Sequence, residues 1–222
     1  MTTTFVVERD SVSIPAWVDD LESFRVWVRS DEFPDKGRIC FLDGEVWVDM
    51  SKEQAFWHNQ VKSEYNIVLG SLNKAERKGR YWPDGMLLTN MHANLASQPD
   101  ARFVSTEGLR TSRVRLVEGV AAGFVELQST PDMVLEIVSD ASVIKDLERL
   151  RDLYWSAGIP EYWLVDVRGE RLSFEILRHT AKGYVSTRSV GGWLKSSVFG
   201  KSFRLTRRTG EDGNPEYELS VR

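Results

Sequence analysis

Pro131-Asp132-Met133-Val134-Leu135-Glu136-Ile137-Val138 decides how this chain is read. Side chains alternate between the two faces of a strand, so a run that is apolar at successive positions is a strand covered on both sides. Glu136 interrupts that run. A carboxylate there must meet a cation, a metal ion or hydrogen-bond donors, or else hold a proton. A second acid stands at a strand start in Pro99-Asp100-Ala101-Arg102-Phe103-Val104. Two strand acids far apart in sequence point to a shared metal ion.

Downstream of Glu136, Ser139-Asp140-Ala141-Ser142 offers helix caps. Val143, Leu147, Leu150, Tyr154 and Ala157 then recur at helical spacing, and Gly158 and Pro160 end the helix. Tyr162-Trp163-Leu164-Val165-Asp166-Val167 is a second strand. Strand, helix and strand at this spacing make a parallel pair with a right-handed crossover. The turn Arg168-Gly169-Glu170 leads into Leu172–Leu177 as an antiparallel neighbour.

Upstream, residues 19–29 read as a short helix with Leu21, Phe24 and Val28 on one face. Asp43-Gly44 between two apolar runs is a hairpin signal. Residues 53–77 read as a long helix carrying Trp57, Val61, Tyr65, Val68, Leu72 and Ala75, with Gly79 as its stop. Residues 80–90 and 101–105 read as strands joined by a polar connection with His92 and Asn94. Residues 106–130 read as a hairpin around a Gly- and Ala-containing turn. The last forty-odd residues are more polar and irregular, with a turn at 211–215 and a final strand Tyr217–Val221. The expected fold class is α/β (α+β mixed): one central mixed sheet flanked by helices.

The chain has 222 residues, 41% of them apolar, which suits a single domain over 1–222. Its middle part would carry an N-terminal helix and a C-terminal β-rich extension. The net charge of −4 excludes a generally basic nucleic-acid coat but not a local groove. Cys40 is the one cysteine, so no internal disulfide forms, and its apolar neighbours favour a packed thiol. No run reaches the ~20 apolar residues of a membrane span. The N-terminus lacks the pattern of a signal peptide, so a cytoplasmic location is expected.

Asp132 and Glu136 share a face of one strand, but four steps at ~3.3 Å each separate them by about 13 Å. One Mg²⁺, with ligands at ~2.1 Å, cannot bridge them. Asp132 is therefore read as a cap at the strand entrance. Glu136 needs a partner from a neighbouring strand, and Asp100 supplies one if 101–104 pair beside 133–138. Oxygen ligands suit Mg²⁺ or Mn²⁺ better than Zn²⁺, and no Cys/His cluster argues otherwise.

Pro99-Asp100, the strand Val134–Ser139 and the stretch Tyr154-Trp155-Ser156-Ala157-Gly158-Ile159-Pro160-Glu161-Tyr162-Trp163-Leu164-Val165-Asp166 together resemble the Uma family of restriction-endonuclease-like proteins, within the PD-(D/E)XK nuclease superfamily. Glu45 after Asp43-Gly44, and His58, are similar to its N-terminal pattern. The resemblance spans roughly residues 38–178. It implies Mg²⁺-dependent hydrolysis of DNA phosphodiesters, with Asp100 and Glu136 as metal ligands and Glu45 as an auxiliary acid. The chain departs from the superfamily where a lysine is expected two residues after the second acid, because Val138 stands there. Lys145, in the first turn of the next helix, is the substitute, and Leu150 occupies a place where relatives often have lysine. An inactive nuclease fold serving as a DNA- or protein-binding module is the alternative, and a homodimer would suit a palindromic target.

Other residues have plainer readings. His58, with Lys62 four residues on, reads as a polar helix flank. Tyr154, Trp155, Tyr162 and Trp163 read mostly as core. The basic runs Arg110–Arg115 and Lys201–Arg208 are suited either to phosphates or to solvent.

Overall fold

The computed structural model describes residues 12–34, 37–119 and 123–222. The N-terminal stretch read for a leader, and the tip of the 106–130 hairpin at 120–122, lie outside the described residues. Helix α1 (Leu21–Val28) opens with Asp20 and Ser23 capping each other, and a hairpin of β1 (Arg38–Leu42) and β2 (Glu45–Asp49) follows. A π-helical turn, Ala55–Asn59, runs into α2 (Gln60–Glu76). Four short strands come next: β3 (Gly79–Pro83), β4 (Leu87–Asn90), β5 (Leu95–Ser97) and β6 (Ala101–Ser105). After α3 (Thr106–Arg110) come β7 (Val114–Glu118), β8 (Phe124–Ser129) and β9 (Met133–Ile137). A second π-helical turn, Lys145–Arg149, leads into α4 (Leu150–Ser156), and β10 (Glu161–Asp166), β11 (Ser173–Thr180) and β12 (Gly183–Ser186) follow. The chain closes with β13 (Leu194–Lys195), β14 (Ser202–Thr209) and β15 (Pro215–Val221).

Two six-stranded mixed sheets result, ordered β2-β1-β5-β4-β8-β7 and β12-β11-β10-β9-β6-β3, with a three-stranded sheet β13-β14-β15 beside them. The expected parallel crossover is present, with β9 and β10 paired from Met133↔Glu161 to Ile137↔Val165. The antiparallel neighbour β11 and the 106–130 hairpin are present as well.

The double-sided burial of β9 organises the interior. Val134 and Val138 face a core between the two large sheets, with Leu88, Leu127, Leu150 and Tyr154. Met133, Leu135 and Ile137 face the other way, against Tyr65 and Leu69 of α2 and Phe203 and Leu219 of the small sheet. A third core packs Phe24 and Trp27 of α1 beneath Ile39 and Phe41 of β1. Cys40 is a free, buried thiol, as its neighbours imply. Among the described residues no helix is long and apolar enough to cross a membrane.

The expected mixed α/β class is present, with the mixed sheet divided into two six-stranded sheets. Several expectations need correction. Residues 80–90 are not one strand: Gly85, at φ +94°, turns the chain so that β3 joins one large sheet and β4 the other. The polar connection after β4 contains β5, which ties β4 to β1. The stop of α2 is Arg77, in the left-handed region at φ +54°, rather than Gly79. Gly79 is needed for another reason, since a Cβ there would stand 2.1 Å from the Val104 carbonyl oxygen. The C-terminal residues, read as irregular, form the small sheet and cover one face of the core.

Candidate functional site

The register between β6 and β9 brings the two strand acids together. Ala101 pairs with Leu135 in an antiparallel ladder, so one further step sets Asp100 opposite Glu136. Directly opposed residues of an antiparallel pair share a face. Both acids are buried.

Asp100 Oδ2 accepts a hydrogen bond from the Ile137 N–H at 2.8 Å. Around its carboxylate stand Lys62 Nζ at 3.2 Å, an Arg38 guanidinium nitrogen at 3.4 Å and His58 Nε2 at 3.7 Å. Burial alone would raise the pKa of this acid. The positive charge of Arg38 and Lys62, with His58 and the Ile137 N–H, reverses that and holds it below the usual carboxylate value. Asp100 Oδ1 is buried without a hydrogen-bond partner. A cleft of about 200 Å³, lined in part by Arg38, Lys52, Glu53, His58 and Ser139, opens beside this cluster.

Glu136 has a different environment. Tyr154 donates its hydroxyl to Oε1 at 2.6 Å. Lys145 Nζ is 4.0 Å from Oε2 but only 2.5 Å from Asp146, which also accepts from the Ser142 hydroxyl. Burial, with the negative charge of Asp146 and Asp100, pushes Glu136 up to about 8 against the pull of Lys145 and Tyr154. Burial works against the Lys145 ammonium, yet the Glu136 and Asp146 carboxylates outweigh it and raise its pKa. Lys145 is therefore a fixed positive charge at neutral pH.

Of the residues singled out in the sequence, Asp100, Glu136 and Lys145 come together. Glu45 does not. It lies exposed at the start of β2, accepts from Trp47 Nε1 at 3.3 Å and pairs with Arg149 at 3.6 Å. Asp132 caps as read, accepting from the Ser105 N–H at 2.7 Å and pairing with Arg113 at 2.6 Å. Parts of the basic runs are thus structural: Arg113 is held by Asp132, and Arg207 donates to the carbonyls of Val167 and Gly169.

The sequence reading missed the cations and acids around Asp100. His58 is buried in the cluster instead of flanking a helix in solvent, and burial depresses its pKa. Arg38, Glu53, Lys62 and Asp84 were not candidates. The one available signal was the four-residue spacing of His58 and Lys62, which places both on one helix face but cannot show that this face turns inward.

The donors present suit a hard divalent cation: two buried carboxylates, and no thiolate or imidazole pair. Among the described residues no three His, Cys, Asp or Glu side chains are arranged to hold a metal ion. Mg²⁺ does not require three, because it is commonly bound through one or two carboxylates and keeps several waters.

The family model Uma2, described as "Putative restriction endonuclease", matches residues 21–207. No curated protein matches the sequence. Among solved structures, the crystal structure of "a putative nuclease belonging to DUF820 from Anabaena variabilis ATCC 29413" superposes with a TM-score of 0.60 at 15% identity, covering 82% of this chain and 90% of that one. At that identity the likeness speaks for the fold: a mixed α/β architecture shared with a nuclease-like chain.

Proposed function

This chain belongs to the Uma2 family, and on that premise we propose that it is a divalent-metal-dependent DNA endonuclease. The observation that carries the reading is that Asp100 and Glu136 are buried one step beyond the end of the β6–β9 ladder, with a cleft lined by Arg38, Glu53 and His58 next to the Asp100 cluster. Asp100 and Glu136 would hold Mg²⁺ or Mn²⁺, which when bound would supply charge stabilisation and water activation for phosphodiester hydrolysis. Asp100, kept ionised by Arg38 and Lys62, is ready to ligate. Glu136 is ready only once its proton leaves, and Tyr154 holds its carboxyl in place. Lys145 acts as an electrostatic helper rather than a base, since its neighbours keep it protonated. Arg38 and Lys52, at the cleft, are suited to backbone phosphates. Glu45, exposed and paired with Arg149, is given no role in this proposed site. DNA is the inferred partner and the cytoplasm the inferred compartment, and a twofold pair of chains would fit a palindromic target.

Purified protein incubated with supercoiled and linear DNA, with and without Mg²⁺ or Mn²⁺, tests the reading. Metal-dependent cleavage by the wild type and none by the Asp100→Ala, Glu136→Ala variant is the expected result. Absence of cleavage by the wild type, or full cleavage by the variant, overturns it. Lys145→Met is expected to lower the cleavage rate about 10²–10³-fold, the usual worth of a positioned electrostatic group.

A second reading has one observation in its favour. Val138, fully buried, stands where the superfamily's lysine would be. A non-catalytic module that kept the fold would retain DNA in a mobility-shift assay without cutting it at any metal concentration.

A further inference from the structure

The Lys62 ammonium and the Arg38 guanidinium share the same three carboxylate oxygens. Glu53 Oε1, Asp84 Oδ2 and Asp100 Oδ1 stand 2.9, 2.9 and 3.2 Å from Lys62 Nζ. The same oxygens lie 2.5, 3.6 and 3.4 Å from one Arg38 nitrogen. The acids come from three separate places: the approach to the first π-helical turn, the turn between β3 and β4, and the approach to β6. Three formal negative charges face two positive ones, leaving a negative excess.

Two further observations point to an ion at this spot. Asp100 Oδ1 is buried and is held by these two cations alone, with no hydrogen bond beyond the ion pairs. Both ring nitrogens of His58 are buried and unpartnered as well, 3.9 Å from Glu53 and 3.7 Å from Asp100. Buried polar atoms without partners require a cause, of which an ion is one. Three converging carboxylate oxygens are the donor chemistry of a hard divalent cation. With the ammonium between them, the oxygens stand at hydrogen-bond distance from nitrogen, about 1 Å beyond the ~2.1 Å of a Mg²⁺–oxygen contact. The acids are spread around Lys62 and are not drawn in to metal-binding distance.

We infer that Lys62 occupies a second divalent-cation position, its ammonium standing beside Asp100 where a second metal ion would stand. The chain therefore takes one metal ion fewer than its carboxylates could bind. This rests on reading Asp100 and Glu136 as ligands of a first ion. Lys62 is a positioning residue: its ammonium holds Asp100 in place together with Glu53 and Asp84.

Isothermal titration with Mn²⁺ alone tests the inference on the full chain. Lys62→Met is expected to bind one more Mn²⁺ than the wild type. The double variant Lys62→Met, Asp84→Asn, which removes one acid together with the ammonium, is expected to lose that gain. Equal stoichiometry for wild type and Lys62→Met overturns the inference, whatever the wild type binds. A wild type that binds no Mn²⁺ counts instead against the Asp100–Glu136 site, and the difference between wild type and variant still decides the role of Lys62. Should Lys62→Met lose its cooperative melt in the absence of metal, Mn²⁺ is expected to restore it. A melt that Mn²⁺ does not restore overturns the inference too.

Discussion

With an ordinary pKa of 4.5 and a folded-state value of about 8, Glu136 takes up a proton when the chain folds at neutral pH. The sign of the linkage follows. An acid whose pKa is raised by folding contributes stability below its unfolded value, and that contribution is lost as pH rises through its folded value. The metal-free protein is therefore expected to lose thermal stability between about pH 5 and pH 8. Glu136→Gln should flatten that part of the curve, and an unchanged slope in the variant would remove Glu136 as the cause. Because a metal ligand must be deprotonated, Mn²⁺ affinity should rise over the same window, with proton release measurable by titration in buffers of different ionisation enthalpy. Asp100 needs no such step, because Arg38 and Lys62 already hold it ionised. The two acids were both visible in the sequence. Their opposite protonation was not, because it depends on which charges the fold sets around each.

Helix α2 shows what local pattern does and does not carry. Its apolar spacing predicts the helix and the buried face bearing Val61, Tyr65 and Leu69. Its end is set by geometry that the residue types hide. Arg77 adopts a left-handed conformation that costs a non-glycine residue about 1–2 kcal/mol, and its N–H caps the Asn73 carbonyl at 2.8 Å. Arg77→Gly should relieve that strain, offset in part by the greater freedom glycine has when unfolded. A net gain of about 0.5–1 kcal/mol in urea denaturation is expected, and a loss would show that the Arg77 side chain matters more than its backbone. The hairpin of β1 and β2 was easier to read. Asp43 and Gly44 take positive φ values of 51° and 91°, as a tight two-residue turn requires, and Asp-Gly is the sequence form of that requirement. The turn at Asp84-Gly85 carried a similar glycine signal within a run read as one strand, and it delivers Asp84 to the site.

At the scale of the molecule, the second large sheet is covered twice. One face meets the other large sheet, and the opposite face meets α2 and the small C-terminal sheet. Trp163 of β10 shows how tightly that second face is closed: its ring centroid lies 4.7 Å from that of Phe203 and 5.5 Å from that of Phe199. Phe203→Ala should cost about 3–5 kcal/mol by emptying a fully buried ring site. Chemical denaturation followed by tryptophan fluorescence would measure it, and a cost below about 1 kcal/mol would mean that the small sheet is not part of the cooperative core.

The features legible before any fold was known are those written in local pattern. The both-faces-buried strand with its single acid, the parallel crossover after it, the Asp-Gly hairpin and the amphipathic α2 all follow from side-chain periodicity and turn chemistry, which neighbouring residues settle between themselves. Tertiary structure alone decided the rest. It divided the strands between two sheets, ordered the polar tail against Trp163, left Glu45 on the surface and gathered Arg38, Glu53, His58, Lys62 and Asp84 around Asp100. These outcomes depend on which distant segments pair and which helix face turns inward. Residues tens of positions apart acquire a common charge environment only when the sheets close, and no local spacing encodes it.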